Sequence, residues 1–381
     1  MMSLRRALAL LAIATVVLGA CRRVTPPPPP PPLPAAPGGA AANPILIDLD
    51  ADPAVVAPQT RDAPDPFILT VDPTWCDTGA GPPPACFYAY TTQVKFNLTP
   101  VFRSTDLVNW ELGGYDSPAD ADPWPNGSAR SGIAPWAEFI GHWAAEVVQR
   151  PSNPTGRFVM WYSAVSKVAP TAGYHCLGTA VADAPGGPFV DESSAPAYCQ
   201  TGQGGTIDPS PFVDSDGTAY LLYKTEGRGA APFVPTRIWI SQLAPDGRSV
   251  VPGTERLLLE VDRAVGSWEN PIIEGPTMAR TSAGLFLFYS AYHWETNGYK
   301  VGVARCDAPV GPCRRVYRTP VLGSRSAMWG PGGQTAFVHP SGQWYLAFHA
   351  WTAPTVGYAS GGERSLRILP LTFPGGAPAV G

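Results

Sequence analysis

An all-β fold, a single five-bladed β-propeller around a central funnel, is what this 381-residue sequence predicts, on three observations. One hairpin pattern recurs five times along the chain. Gly and Pro are abundant, at 40 and 46 residues, and charged residues make up only 15%. That balance favours short strands and many turns over long surface helices.

The pattern is clearest at residues 204–226. Asp208 begins an apolar strand continued by Pro211-Phe212-Val213, the turn Asp214-Ser215-Asp216-Gly217 reverses the chain, and Thr218-Ala219-Tyr220-Leu221-Leu222-Tyr223 returns. The other four copies are Ala63-Pro64-Asp65-Pro66-Phe67 with Phe87-Tyr88-Ala89-Tyr90, Ala145-Glu146-Val147-Val148 with Phe158 to Ser163, Ile273-Glu274-Gly275-Pro276 with Leu285 to Ser290, and Gly333-Gln334-Thr335 with Trp344 to His349. Units repeated roughly 60 to 80 residues apart cannot bury their faces alone, and stacking them around an axis is the natural closure.

Taken in order, residues 1–20 read as a targeting segment: Arg5 and Arg6 precede the apolar run Ala7 to Val17, which is too short to span a bilayer as a mature helix. It ends Leu18-Gly19-Ala20-Cys21, which resembles the lipobox of bacterial lipoproteins. The resemblance implies cleavage before Cys21, lipid on that residue, and an exported protein held to a membrane by this anchor only. Residues 21–43 carry Pro26 to Pro32 and form an extended polyproline spacer with no apolar face. Residues 44–381 are left for the propeller.

The remaining six cysteines fall in sequence-near pairs, Cys76 with Cys86, Cys176 with Cys199 and Cys306 with Cys313, the simplest of fifteen possible pairings and one that suits an oxidising compartment. No CxxC or HxxxH spacing suggests zinc. A formal charge of −4 offers no surface for nucleic acid.

The first blade runs from Pro64 to Tyr115, and its Trp110 is expected to pack back on the sheet. An irregular insertion, 116–139, belongs at a functional rim. The second blade starts near Trp143, the third is the hairpin at 204–226 plus Arg237 to Leu243, and the fourth runs from Glu274 to Cys313. The fifth, from Gly333, is expected to be completed by the early strand Ile45-Leu46-Ile47, which would fasten the ring.

Pro64-Asp65-Pro66, Trp143-Ala144-Ala145-Glu146, Gly205-Thr206-Ile207-Asp208-Pro209, Ile273-Glu274-Gly275-Pro276 and Trp329-Gly330-Pro331-Gly332-Gly333, with Ser104 to Trp110, in this order and at blade spacing, resemble glycoside hydrolase family 43. The resemblance covers the chain from about residue 44 and implies a five-bladed propeller with a central active-site funnel. It implies inverting hydrolysis of α-L-arabinofuranosyl or β-D-xylosyl linkages in arabinan, arabinoxylan or xylo-oligosaccharides. By the same resemblance Asp65 would be general base, Asp208 the residue that tunes the acid, and Glu274 general acid. Trp143, Glu146, Gln334 and Arg364 would bind substrate. His349 is expected to be a neutral packed residue. Gln334 stands where many relatives carry a His that helps hold an axial calcium or water, which puts a calcium ion in the channel in question; no cofactor is expected.

The chemistry asks for such a set on its own terms. Inversion needs one carboxylate to activate water and a protonated one across the sugar, about 6.5–9.5 Å away. A third carboxylate beside Glu274 would keep it protonated by like-charge repulsion. Two other readings share the propeller: a retaining sucrose or fructan hydrolase, and a surface propeller that binds sugar without turnover.

Overall fold

The computed structural model describes residues 47–48, 59–60, 62–72, 75, 86–113, 127–150, 157–325 and 327–381. The targeting segment, Cys21, the polyproline spacer, Cys76 and the part of the insertion at 116–126 lie outside the described residues. The five expected blades are present as five separate sheets arranged as a β-propeller, each blade antiparallel within itself, and the helix among the described residues is limited to short 3-10 turns.

Each blade opens with the strand nearest the axis and steps outward. The first blade contains Phe67–Val71, Cys86–Tyr90, Val101–Ser104 and Trp110–Leu112. The second contains Trp143–Gln149, Phe158–Val165 and His175–Ala182. Thr206–Val213, Ala219–Thr225, Arg237–Gln242 and Arg256–Glu260 form the third. Ile273–Thr281, Gly284–Ala291, Lys300–Cys306 and Cys313–Arg315 form the fourth. The fifth is Met328–Val338, Trp344–Thr352, Arg364–Thr372 and Ala379–Val380.

The second strand of each blade is sandwiched between neighbouring blades, so both of its faces are apolar and alternation disappears. Phe158–Val165 reads FVMWYSAV and is buried along nearly its whole length. Packing between blades follows from this, and the five apolar clusters occupy the five gaps around the ring. Ile68 and Phe87 of the first blade meet Phe337 and Ala347 of the fifth, which closes the circle. Trp110 is buried in the same cluster, as its position after a polar turn predicts.

Closure does not use the early strand as expected. Ile47–Asp48 instead pairs in parallel with Trp110–Leu112 on the outer edge of the first blade, and Ala379–Val380 takes the outer edge of the fifth. The physical reason is that a two-residue segment is satisfied by any open edge, and the chain's own C-terminal strand already covers the fifth blade's. The ring is joined instead at Asp62, which bridges Ser365, and by the Ala63 N–H donating to the Arg364 carbonyl at 2.8 Å.

Cys176 is bonded to Cys199 and Cys306 to Cys313, as the sequence pairing anticipates. Cys86 is also disulfide-bonded.

Candidate active site

The innermost strands share one irregularity at the end that faces the funnel. In the second, third, fourth and fifth blades the pairing slips by a bulge after Trp143, Ile207, Glu274 and Gly332. The residue that follows each of these is left-handed: Ala144 at φ 45°, Asp208 at 54°, Gly275 at 55° and Gly333 at 57°. Asp65 of the first blade is left-handed too, at φ 50°. Non-glycine residues in this conformation cost about 1–2 kcal/mol each, and such strain gathers at functional sites. The bulge re-aims these side chains toward the axis. Asp65 and Asp208 therefore occupy equivalent places in their blades, whereas Glu274 stands one residue earlier, before the left-handed Gly275.

These ends surround a cavity of about 750 Å³ whose lining includes Asp65, Asp208 and Glu274 together with Trp143, Glu146, Gln334 and Arg364. A volume of this order suits a small ligand or a few sugar rings. Every candidate site residue named for the funnel from sequence thus reaches one hollow. None of the described residues of the insertion, 127–139, lines it.

Asp65 is held on three sides. Thr92 donates its hydroxyl to Oδ2 at 2.7 Å, the Arg364 guanidinium stands 3.4 Å from the same oxygen, and the Asp65 N–H donates to His349 Nδ1 at 3.0 Å. Burial alone would push the Asp65 carboxyl up, but the Arg364 charge, His349 and Thr92 outweigh it and take it well below the usual carboxylate range. Asp65 is ionised across the physiological range. Arg364 is itself fixed by the Tyr358 hydroxyl, by Asp62 at its own N–H and by the face of Trp294. His349 is fully buried and burial pushes its imidazole down, so it is the neutral, packed residue expected.

Asp208 is in the opposite state. Burial first, then the charges of Glu274 and Asp65, push its carboxyl up to about 7, against the opposing pull of Lys224 and of a Gly275 N–H that donates to Oδ2 at 2.8 Å. Glu274 accepts from Lys224 Nζ at 2.9 Å and from the Tyr299 hydroxyl at 2.8 Å. Two carboxylates therefore share one buried ammonium, and a desolvated site that would otherwise carry a net negative charge retains a proton. The acid that the structure raises is Asp208 itself. Glu146 is also pushed well above the ordinary range, by burial and by the charge of Asp208, with Ser210 opposing.

Lys224, Thr92 and Tyr299 were not singled out from sequence. Lys224 carried a usable signal: it is the one cation in the apolar strand Ala219–Thr225 and lies opposite Ile207, next to Asp208. A buried ammonium has to be paired. Thr92 lies beyond its strand and Tyr299 just before its own, and nothing local marks either.

At the axis, Gln334 is almost wholly buried. Its Oε1 accepts from the Ser290 hydroxyl at 2.7 Å and its Nε2 donates to the Gly275 carbonyl at 2.6 Å. Both ends of the amide are thereby hydrogen-bonded to neighbouring blade-four groups. Among the described residues no cluster of three or more His, Cys, Asp or Glu is placed to hold a metal ion.

The family profile of glycosyl hydrolases family 43 matches residues 63–378. The chain belongs to this family. A relative named arabinoxylan arabinofuranohydrolase, from Bacillus subtilis (strain 168), is 28% identical over 72% of this chain and 53% of its own length. Extracellular endo-alpha-(1->5)-L-arabinanase 2 from the same organism is 26% identical over 72% of this chain and 60% of its own. The chain thus spans between half and two thirds of the length of these relatives. Among solved structures, an endo-1,4-beta-xylanase from Bacteroides thetaiotaomicron VPI-5482 superimposes with a TM-score of 0.63 at 26% identity, over 84% of this chain and 94% of that one.

Proposed function

We propose that this family 43 member is an inverting glycoside hydrolase that removes α-L-arabinofuranosyl or β-D-xylosyl units from arabinan, arabinoxylan or xylo-oligosaccharides. The observation that carries the reading is the opposite electrostatic setting of two acids in one cavity: Asp65 held ionised by Arg364, and Asp208 raised to about 7 beside Glu274. Environments that drive two acids apart are how one site runs acid and base chemistry together. Relatives whose names specify arabinoxylan and arabinan support the substrate class.

In the proposed reaction Asp65 draws a proton from a water molecule as that water attacks the anomeric carbon. The glycosidic oxygen departs with a proton from Glu274, and the proton that Asp208 carries below about pH 7 stands next to Glu274 to keep the pair charged with one. Arg364 and Thr92 keep the base in place and ionised. Trp143, tilted against His175 with ring centroids 4.0 Å apart, offers an aromatic face to a sugar ring. The reaction calls for no cofactor.

We further propose that the protein is exported and anchored by lipid on Cys21, with residues 1–20 removed; two intact disulfides and an extracellular relative support export. A Cys21→Ser variant that still partitions with membranes would contradict the anchor. The test of the activity is a side-by-side assay of aryl α-L-arabinofuranoside, aryl β-D-xyloside and linear arabinan. Cleavage of at least one is expected; cleavage of none, with a fructan or another sugar hydrolysed instead, overturns the proposal.

A further inference from the structure

Between the base and the acid pair runs a chain of four hydrogen bonds that no part of the reaction above uses. The Gly333 N–H donates to Ser290 Oγ at 2.9 Å, and the Ser290 hydroxyl donates to Gln334 Oε1 at 2.7 Å. The Gln334 amide donates to the Gly275 carbonyl at 2.6 Å, and the Gly275 N–H donates to Asp208 Oδ2 at 2.8 Å. Every link runs donor to acceptor in one direction, passing twice from the fifth blade to the fourth before it ends on the third. Ser290 is fully buried and Gln334 nearly so.

From this relay we propose that Gln334 and Ser290 are positioning residues, which lock the left-handed turn at Gly275 so that its N–H stays on Asp208 and Glu274 stays in register. The lock is needed because Gly275 is the most permissive residue of the acid strand. It has no side chain to hold it at φ 55°, and it sits inside a bulge where ladder bonding between Glu274 and Thr277 is interrupted. Gly275 and Gly333 also nearly touch: a Cβ on Gly275 would lie 3.8 Å from the Gly333 Cα and 3.5 Å from Ser290 Oγ. Gly333 in turn packs against the Asp65 carboxylate. The relay therefore ties the bulge beneath the acid to the bulge beside the base, and a shift of one is felt by the other. Each of its side-chain polar atoms has a hydrogen-bond partner, which in a buried network gives rigidity.

The proposal rests on the hydrolase reading, and its test has one arm that does not. Gln334→Met keeps the length of the side chain and removes both polar partners; Ser290→Ala removes the middle of the relay. Asp208 is faced by Lys224, Glu274, Glu146, Tyr299 and Asp65, all of which stay in place in both variants. Loss of the Gly275 N–H, which opposes the rise in Asp208, is expected to move the alkaline limb of the kcat/KM profile upward by about half a unit or more. A fall in kcat of roughly tenfold to a hundredfold is expected with it, as Glu274 loses register, while KM changes little. The independent arm follows the carboxyl carbon resonance of Asp208, assigned by its loss in Asp208→Asn, through a pH titration of wild type and Gln334→Met. The same upward shift is expected without any turnover. A wild type with no glycosidase activity overturns the hydrolase reading and leaves this arm to decide. An Asp208 titration and a pH profile unchanged in both variants, with only Tm lowered, would reduce Gln334 to packing and overturn the proposal.

Discussion

Replacing Gly333 by Ala tests the geometry of the base with a single methyl group. A Cβ built there lies 2.7 Å from His349 Nδ1 and nearer still to Asp65 Oδ1, against an ordinary contact of 3.4 Å or more. Neither neighbour can yield cheaply, because His349 is fully buried and Asp65 is itself held in a left-handed conformation. The carboxylate must retreat by about 1 Å, and a misplacement of that size in a catalytic group costs on the order of a hundredfold in rate. Alanine at φ 57° adds backbone strain of about 1–2 kcal/mol. Gly342→Ala is the control, since Gly342 is also left-handed, at φ 87°, but a Cβ there meets nothing within 4 Å. Steady-state kinetics and calorimetry on both variants separate the two effects. Tm is expected to fall in both, and further in Gly333→Ala because of the added overlap, with kcat/KM lowered about a hundredfold in Gly333→Ala and unchanged in Gly342→Ala. A Gly333→Ala enzyme within threefold of wild type would refute the placement of Asp65 as the reacting base.

The pH profile of wild type should fall on the alkaline side near 7, because the raised Asp208 loses its proton there, while the acid side should extend low, since Asp65 is held ionised below the usual range. An acid limb above about pH 5 would contradict the role given to Arg364. Lys224→Met removes the ammonium that opposes protonation of Asp208, so the alkaline limb should move up by more than one unit; a downward move would reverse the assigned electrostatics. Reduction of the bridges Cys176–Cys199 and Cys306–Cys313, which span 23 and 7 residues, should cost about 3 kcal/mol for the longer and somewhat less for the shorter. Thermal unfolding with and without reductant reads this loss, and an unchanged Tm would contradict it.

The propeller was legible because second strands sandwiched between blades must be apolar on both faces, and runs such as Phe158 to Ser163 and Leu285 to Ser290 announce this in the residues themselves. The three acids were legible because a carboxylate at the head of such a strand has no reason to be there unless the funnel is polar. What could not be read was phase. A bulge slips the register by one residue in the third and fourth blades, with Asp208 at the left-handed position and Glu274 just before it, while Asp65 is left-handed without a bulge. The motifs give no hint of that difference. Partners that set protonation were also hidden: Thr92 and Tyr299 come from other strands and loops, and only packing in three dimensions brings them, and Arg364 in its place beside Asp65, to the acids. The early strand was assigned to the wrong blade for a related reason, because two extended residues carry no information about which edge they will join.

The stereochemistry of the first-formed product reports most directly on the three-acid arrangement. Proton NMR of a fresh digest of whichever aryl pentoside is cleaved should show the anomer opposite to that of the substrate, before mutarotation, with the signal abolished in Asp65→Asn and Glu274→Gln. Appearance of the same anomer as the substrate would mean a carboxylate attacks carbon directly, and water activation by Asp65 would be wrong.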